Sequence, residues 1–230
     1  MINSEYLQNL NKAQKEAVLY LDGPLLIVAG AGSGKTKVLT SRISHIIKTK
    51  KAFPNQILSV TFTNKAAKEM QNRVSSILKT EAIGLSWLGT FHSICAKLLR
   101  KHASAVGLNS NFTIIDTDDQ IRLIKNICKS ENIDIKKLSP KYILSIIDRW
   151  KNNGFYPNEV IINKKDIYEK IILPLYNIYQ KKLLDLNACD FGDLILHCVK
   201  MLDKNLDIKE IYSNNFKYIL VDEYQDTNFI

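Results

Sequence analysis

Long hydrophobic runs are missing from this chain of 230 residues: none approaches the ~18 consecutive apolar positions that a membrane-spanning helix needs. The polar start Met1-Ile2-Asn3-Ser4-Glu5 also lacks the apolar stretch of a signal peptide, so the expectation is a cytoplasmic chain with no membrane partner. Cysteine is scarce. Cys95, Cys128, Cys189 and Cys198 form no C-x-x-C pair and no Cys/His cluster at zinc spacing, and read as free buried thiols rather than a metal or redox site. With 9 glycines and 5 prolines there is no Gly/Ser-rich or Pro-rich linker, and no internal repeat argues for a solenoid. Arginine is short as well, since only Arg42, Arg73, Arg100, Arg122 and Arg149 occur among 32 basic residues.

What is present is ordinary globular composition, 46% hydrophobic and 24% charged, enough for one large domain or two modest ones. A formal net charge of +9 points to a polyanionic partner without identifying it.

Along the chain, Asn11 to Leu21 has helical spacing with Asn11 as N-cap, and Asp22-Gly23-Pro24 ends it. Leu25 to Ala29 is a continuous apolar run, the pattern of a parallel strand buried on both faces. Helical spacing returns over Thr36 to Lys48 and strand character over Ile57 to Phe62, which together make a βαβ unit. Further helices are expected over Lys65 to Leu78 and Thr90 to His102, with short strands at Leu85 to Leu88 and Phe112 to Ile115. From Asp118 to about Leu202 the pattern is helical with charged faces, broken at Pro140, at Asn152-Asn153-Gly154 and around Pro157. Tyr218 to Val221 restores a buried strand. The expected fold class is α/β, with a helical subdomain inserted into a parallel sheet.

Ala29-Gly30-Ala31-Gly32-Ser33-Gly34-Lys35-Thr36 fits the Walker A pattern, and it lies between a predicted strand and a predicted helix. Its glycines let backbone N–H groups converge on phosphate oxygens, and the helix beginning near Lys35 aims its positive end at the same anion. Lys35 is placed to reach the β and γ phosphates of ATP and the Thr36 hydroxyl to ligate Mg²⁺. A purely structural glycine turn is the competing reading. Asp222-Glu223 follow the last strand, where ligands bind in open α/β sheets. Asp222 is assigned to the Mg²⁺ and Glu223 to the attacking water, against the alternative of an ordinary solvated acidic pair.

Val221-Asp222-Glu223-Tyr224-Gln225-Asp226-Thr227-Asn228 resembles motif II of the UvrD/Rep-type superfamily 1 DNA helicases, and Ala29 to Thr36 matches their motif I. Leu10-Asn11 with Gln14 resembles their Q motif, Thr61 to Ala67 their motif Ia, and Gly89-Thr90-Phe91-His92-Ser93 their motif Ib. Asp190-Phe191-Gly192-Asp193-Leu194 is similar to a further family segment beside the DNA channel. The resemblance implies a RecA-like P-loop NTPase subdomain, 1A, over 1–115 and 212–230, and an inserted helical subdomain, 1B, over 116–211. It implies that Gln14 reads the adenine edge and that Gln225 joins Lys35, Asp222 and Glu223 in catalysis. Phe62, Thr63, Asn64, Thr90, Phe91 and His92 would contact single-stranded DNA during 3'-to-5' translocation.

Residues 61–101 carry seven Lys or Arg against Glu69 and Glu81, a local net of +5 that suits phosphate contact. Read alone, Phe62, Phe91 and His92 are ordinary packing residues, as are Trp87, Trp150, Phe155, Tyr156, Tyr176 and Tyr179. Position 37 is Lys where many relatives have Arg, which loses the planar fork. No motif III and no second RecA-like lobe follow Ile230, so the sheet is expected to be incomplete at its C-terminal side, with an apolar edge left uncovered. An arginine finger, worth about 10³ to 10⁵ in rate, would have to come from a polypeptide that supplies that lobe. The alternatives are an ATP- and DNA-binding module without motor activity and a decayed remnant.

Overall fold

The structure, a computed structural model, describes residues 5–162 and 166–227. The chain divides into two compact units, one comprising the residues up to Ile94 together with Glu210–Thr227, the other Cys95–Lys209. In chain order the elements are α1 (Glu5–Gln8), α2 (Lys12–Leu19), α3 (Lys35–Lys48), β1 (Ile57–Thr61), α4 (Asn64–Leu78), β2 (Leu88–Thr90) and α5 (Phe91–Lys101). There follow β3 (Thr113–Ile114), α6 (Thr117–Ser130), α7 (Pro140–Asn152), α8 (Ile167–Asp185), β4 (Ala188–Cys189), α9 (Phe191–Lys204), α10 (Leu206–Asn215) and β5 (Tyr218–Val221).

The sheet unit is built on three parallel strands in the order β2-β1-β5. Central β1 is buried through Ile57, Ser59, Val60 and Thr61, as a strand flanked on both sides should be. Ile43, Ile46 and Ile47 of α3 and Met70, Val74 and Leu78 of α4 pack with Ile57 and Leu220 into one core. These positions recur at three and four residues, the spacing that puts them on one helix face.

One expected strand is corrected. Leu25 to Ala29 has no ladder partner among the described residues and is not buried on both faces: Ile27 packs against Leu10, Val18 and Val38, while Leu26 is 73% and Val28 87% exposed. A strand exists only where a neighbour takes its N–H and C=O groups. The predicted βαβ unit therefore lacks its first ladder. The strand expected at Tyr218 to Val221 forms as β5, but as an edge strand it is not a buried one: only Leu220 is buried, while Ile219 on the other face is 64% exposed.

The helical unit packs Ile124, Ile127, Ile143, Ile147, Trp150, Ile172, Tyr176 and Tyr179 into a second core. The sequence breaks fall where expected: Ser139 caps α7 with Pro140 at its first turn, and Gly154 follows the helix with φ 82°. Two features were not foreseen. β3 pairs in parallel with β4, and α10 precedes β5. The strand expected at Phe112 to Ile115 is present as β3, but its 2-residue partner β4 carries too little periodicity to be read from sequence. Trp87, Trp150, Tyr176 and Tyr179 are core, while Phe155 is 40% exposed.

Candidate nucleotide and nucleic-acid site

Asn11 caps α2 reciprocally: the Gln14 amide N–H donates to Asn11 Oδ1 (2.9 Å) and the Asn11 N–H donates to Gln14 Oε1 (3.0 Å). That box fixes the Gln14 side chain, whose Nε2 donates to the Ser33 carbonyl at 2.9 Å. Gln14 thus reaches the glycine-rich loop from another helix. The loop turns through Gly32 (φ 74°) and Gly34 (φ 89°), so glycine is favoured there by conformation, and a Cβ on Gly34 would lie 3.0 Å from Gln14 Nε2 and press that side chain aside.

Helix α3 begins at Lys35 with Gly34 as its cap, and its first N–H groups face the loop. Lys35 Nζ donates to the carbonyls of Ala29 (2.9 Å) and Gly30 (3.2 Å), and the Ser33 N–H to Gly30 O (3.3 Å). Ala31 lies at the exposed tip, and Thr36 is half-buried in the first turn of α3. Further bonds hold this helix to the N-terminal segment: Lys37 Nζ donates to Asn9 O (2.6 Å) and Arg42 Nη1 to Ala17 O (2.6 Å) and Tyr20 O. Tyr6 OH lies 2.9 Å from His45 Nδ1. Of these only Lys37 had drawn notice in the sequence, because single side-chain bonds to distant carbonyls leave no periodic signal.

The ladder register assembles the remaining motifs. Thr61 pairs with Thr90 and Val60 with Val221, so all three strands end at one level. Each then delivers its motif residue at the C-terminal edge: Phe62 after β1, Phe91 after β2, Asp222 after β5. The Asp222 N–H continues the ladder onto Val60 O at 2.9 Å. Its carboxyl is buried, and desolvation and the Glu223 charge hold its pKa above the ordinary value, opposed by its backbone hydrogen bond and by Lys35. Lys35 and Asp222 therefore share one electrostatic environment. Glu223 takes φ 50°, uncommon for a residue with a side chain, and Gln225 Nε2 donates to Glu223 Oε2 at 2.5 Å.

The aromatic pair lies on the same edge, with Phe62 and Phe91 rings 5.5 Å apart at 60°. Phe62, Thr63 and Asn64 are exposed, and Thr63 caps α4 by accepting the Ala66 N–H. Thr90 is buried and its Oγ1 accepts the Ser93 N–H, while Ser93 Oγ donates back to Thr90 O (2.9 Å). A Cβ on Gly89 would lie 2.5 Å from Ser93 Oγ, which explains the glycine there. Burial lowers the pKa of His92. Arg73 of the basic stretch is paired with Glu69 one turn away. Asn228 lies outside the described residues.

A family model described as the UvrD/REP helicase N-terminal domain matches residues 10–230. The chain belongs to that family. It is 47% identical over 233 residues to a probable DNA helicase II homolog of Rickettsia conorii, covering 100% of this chain and 35% of that protein. It is also 47% identical over 227 residues to the ATP-dependent DNA helicase PcrA of Bacillus subtilis, covering 99% of this chain and 31% of the relative. For PcrA of Staphylococcus aureus the identity is 43%, covering 96% and 30%. The chain thus spans about a third of the length of these curated relatives. Membership of the UvrD/REP family accounts for the α/β fold with a parallel sheet. No helix among the described residues is long and apolar enough to cross a membrane, and no His, Cys, Asp or Glu group among them forms a metal cluster by itself.

Proposed function

We propose that this chain is the ATP-binding lobe of a UvrD-like ATP-dependent helicase that moves 3'-to-5' along single-stranded DNA in the cytoplasm. The observation that carries this reading is that three registered parallel strands end at one level and deliver Phe62, Phe91 and Asp222 to one edge, with the Lys35 charge acting on Asp222. The division into 1A (1–115 and 212–230) and 1B (116–211) belongs to the same reading.

In it, the loop Ala29 to Thr36 takes the phosphates of ATP on its backbone N–H groups and on the N-terminus of α3. Lys35 exchanges two neutral carbonyls for charged phosphate oxygens, the stronger acceptors. A buried, partly compensated Asp222 carboxyl suits a divalent cation, so Thr36 and Asp222 would hold Mg²⁺, whose chemistry is to neutralise charge on the phosphates. Glu223, oriented by Gln225, positions the attacking water. Gln14 reads the adenine edge, which must compete with its hydrogen bond to Ser33 O.

On the DNA side Phe62 and Phe91 offer stacking faces, and Thr63, Asn64 and His92 lie beside them as polar contacts, while Thr90, buried with its hydroxyl accepting the Ser93 N–H, shapes the turn instead of touching DNA. The second RecA-like lobe, with its arginine, would come from a further polypeptide segment in cis or trans. The alternative reading is a module that holds ATP and DNA without motor activity. Hydrolysis of ATP with and without single-stranded DNA separates the two, using Lys35→Ala to subtract contaminating turnover. DNA-stimulated turnover lost in the variant supports the enzyme part. No turnover, with ATP still raising the melting temperature, supports the module.

A further inference from the structure

All four cysteines are free, as expected from the sequence, but full burial holds for only three of them. Cys128 and Cys189 are 0% and Cys198 is 4% exposed, whereas Cys95, on α5, keeps part of its surface. Cys95 and Cys198 stand far apart in the sequence and meet within the helical unit, where the Cys198 thiol on α9 donates a hydrogen bond to Cys95 Sγ. Sulfurs in such contact have about 2 Å to close before they reach the ~2.05 Å length of a disulfide bond.

The two thiols are unequal. The hydrogen bond from Cys198 favours the Cys95 thiolate and lowers its pKa, against the opposing effect of burial. The same bond, together with burial, raises the pKa of Cys198 and keeps it protonated. Burial also raises the thiols of Cys128 and Cys189. The more reactive sulfur is therefore the partly exposed one, and a second sulfur already touches it from the interior. That is the arrangement of an attacking thiol backed by a resolving thiol.

We propose that Cys95 and Cys198 are a modification site, a thiol pair that a hydroperoxide converts reversibly into a disulfide. The Cys95 thiolate attacks one peroxide oxygen; the O–O bond breaks, an S–O bond forms, and the other oxygen leaves as hydroxide, so that Cys95 becomes a sulfenic acid. The Cys198 sulfur then attacks the Cys95 sulfur. The S–S bond forms as the S–O bond breaks, and the Cys198 proton departs with that oxygen as water. Two electrons have passed from the sulfurs to the peroxide, and a dithiol reductant returns them. Only Cys95 has to meet the oxidant. In a reducing compartment the pair rests as thiols and closes when oxidant rises. The bridge ties α9 to α5, the helix that opens with Phe91 and His92. The proposal does not depend on the phosphate-loop reading.

The test treats the whole folded chain with stoichiometric hydrogen peroxide, blocks the remaining thiols, and maps linked peptides by mass spectrometry without reductant. The expected result is an intramolecular Cys95–Cys198 link that dithiothreitol reverses, with Cys95 lost at least about tenfold faster than Cys128 or Cys189. The chain unfolded in urea should instead scatter its oxidation over all four thiols. Cys198→Ser keeps a hydroxyl donor beside Cys95 and should leave a Cys95 sulfenic acid that dimedone captures, while Cys95→Ser should leave Cys198 unoxidised at the same dose. Folded chain that oxidises at Cys128 or Cys189 as fast as at Cys95, or that accumulates Cys95 sulfenic acid without the link to Cys198, would overturn the proposal. Both readouts come from the unaltered chain, so they stand even if a substitution fails to fold.

Discussion

In the helical unit the ammonium of Lys151 is fully buried between Asp190 (2.6 Å) and Asp193 (2.7 Å), whereas in the sheet unit the ammonium of Lys35 rests on two backbone carbonyls of an exposed loop. Tyr179 OH and Gln180 Nε2 donate to the same two carboxylates, and Asp190 and Asp193 close a capping box at the start of α9. Burial alone would lower the pKa of Lys151, but Asp193 and Asp190 outweigh it and hold the amine charged. A buried pair of this kind adds little net stability yet is costly to break. The loop lysine has the opposite economy: its partners are replaceable, which is what a residue that changes partners on binding a ligand needs.

The sharpest way to break this comparison is Lys151→Ala, which strands two buried carboxylates and should cost about 3–5 kcal/mol in urea unfolding. A loss below ~1 kcal/mol would mean that the network is hydrated and not structural. On the loop side Gly34→Ala should cost about 1–2 kcal/mol through its left-handed conformation and push Gln14 off Ser33. Nucleotide affinity should fall with it, and an unchanged affinity would show that the loop tolerates a different turn.

Asp148 adds a third carboxyl beside the Lys151 network, and burial, with Asp190 and Asp193, pushes its pKa up to about 6 against the opposing pull of Lys151. The folded state therefore binds more protons than the unfolded chain between about pH 4 and pH 6, so this group's contribution is most favourable in acid and is lost as pH rises through that window. Asp148→Asn should raise stability at pH 7 by on the order of 1 kcal/mol, discounted for partial exposure, and leave little difference at pH 4. Equal effects at both pH values would contradict the shift. The smallest effect is expected at Leu26→Ser, within about 0.5 kcal/mol, because that side chain covers nothing. A larger loss would show that the segment has a partner in solution.

Much of the sheet unit was legible because its signals are local. The cap at Asn11, the glycines before Lys35 and the apolar strands ending in Asp222 or in Phe62 each declare an element boundary within a few residues. The Leu25 to Ala29 segment misled, since an apolar run reports what a strand would bury and not whether a neighbour is there to pair with it. Lys151 was illegible for a different reason. Its partners lie about forty residues away in the sequence, and a lysine on an amphipathic helix is almost always solvated, so no pattern marks it as core. The pairing of Phe62 with Phe91 depends on the β1–β2 register, which only the fold supplies.

The account rests on Lys35 and its loop as a nucleotide site, and calorimetric titration of Mg-ATP into the unaltered chain and into Lys35→Ala tests it most directly. Saturable binding to the unaltered chain that falls below detection in the variant, with both melting at the same temperature without ligand, is the predicted result. Equal affinity in the two chains would contradict it.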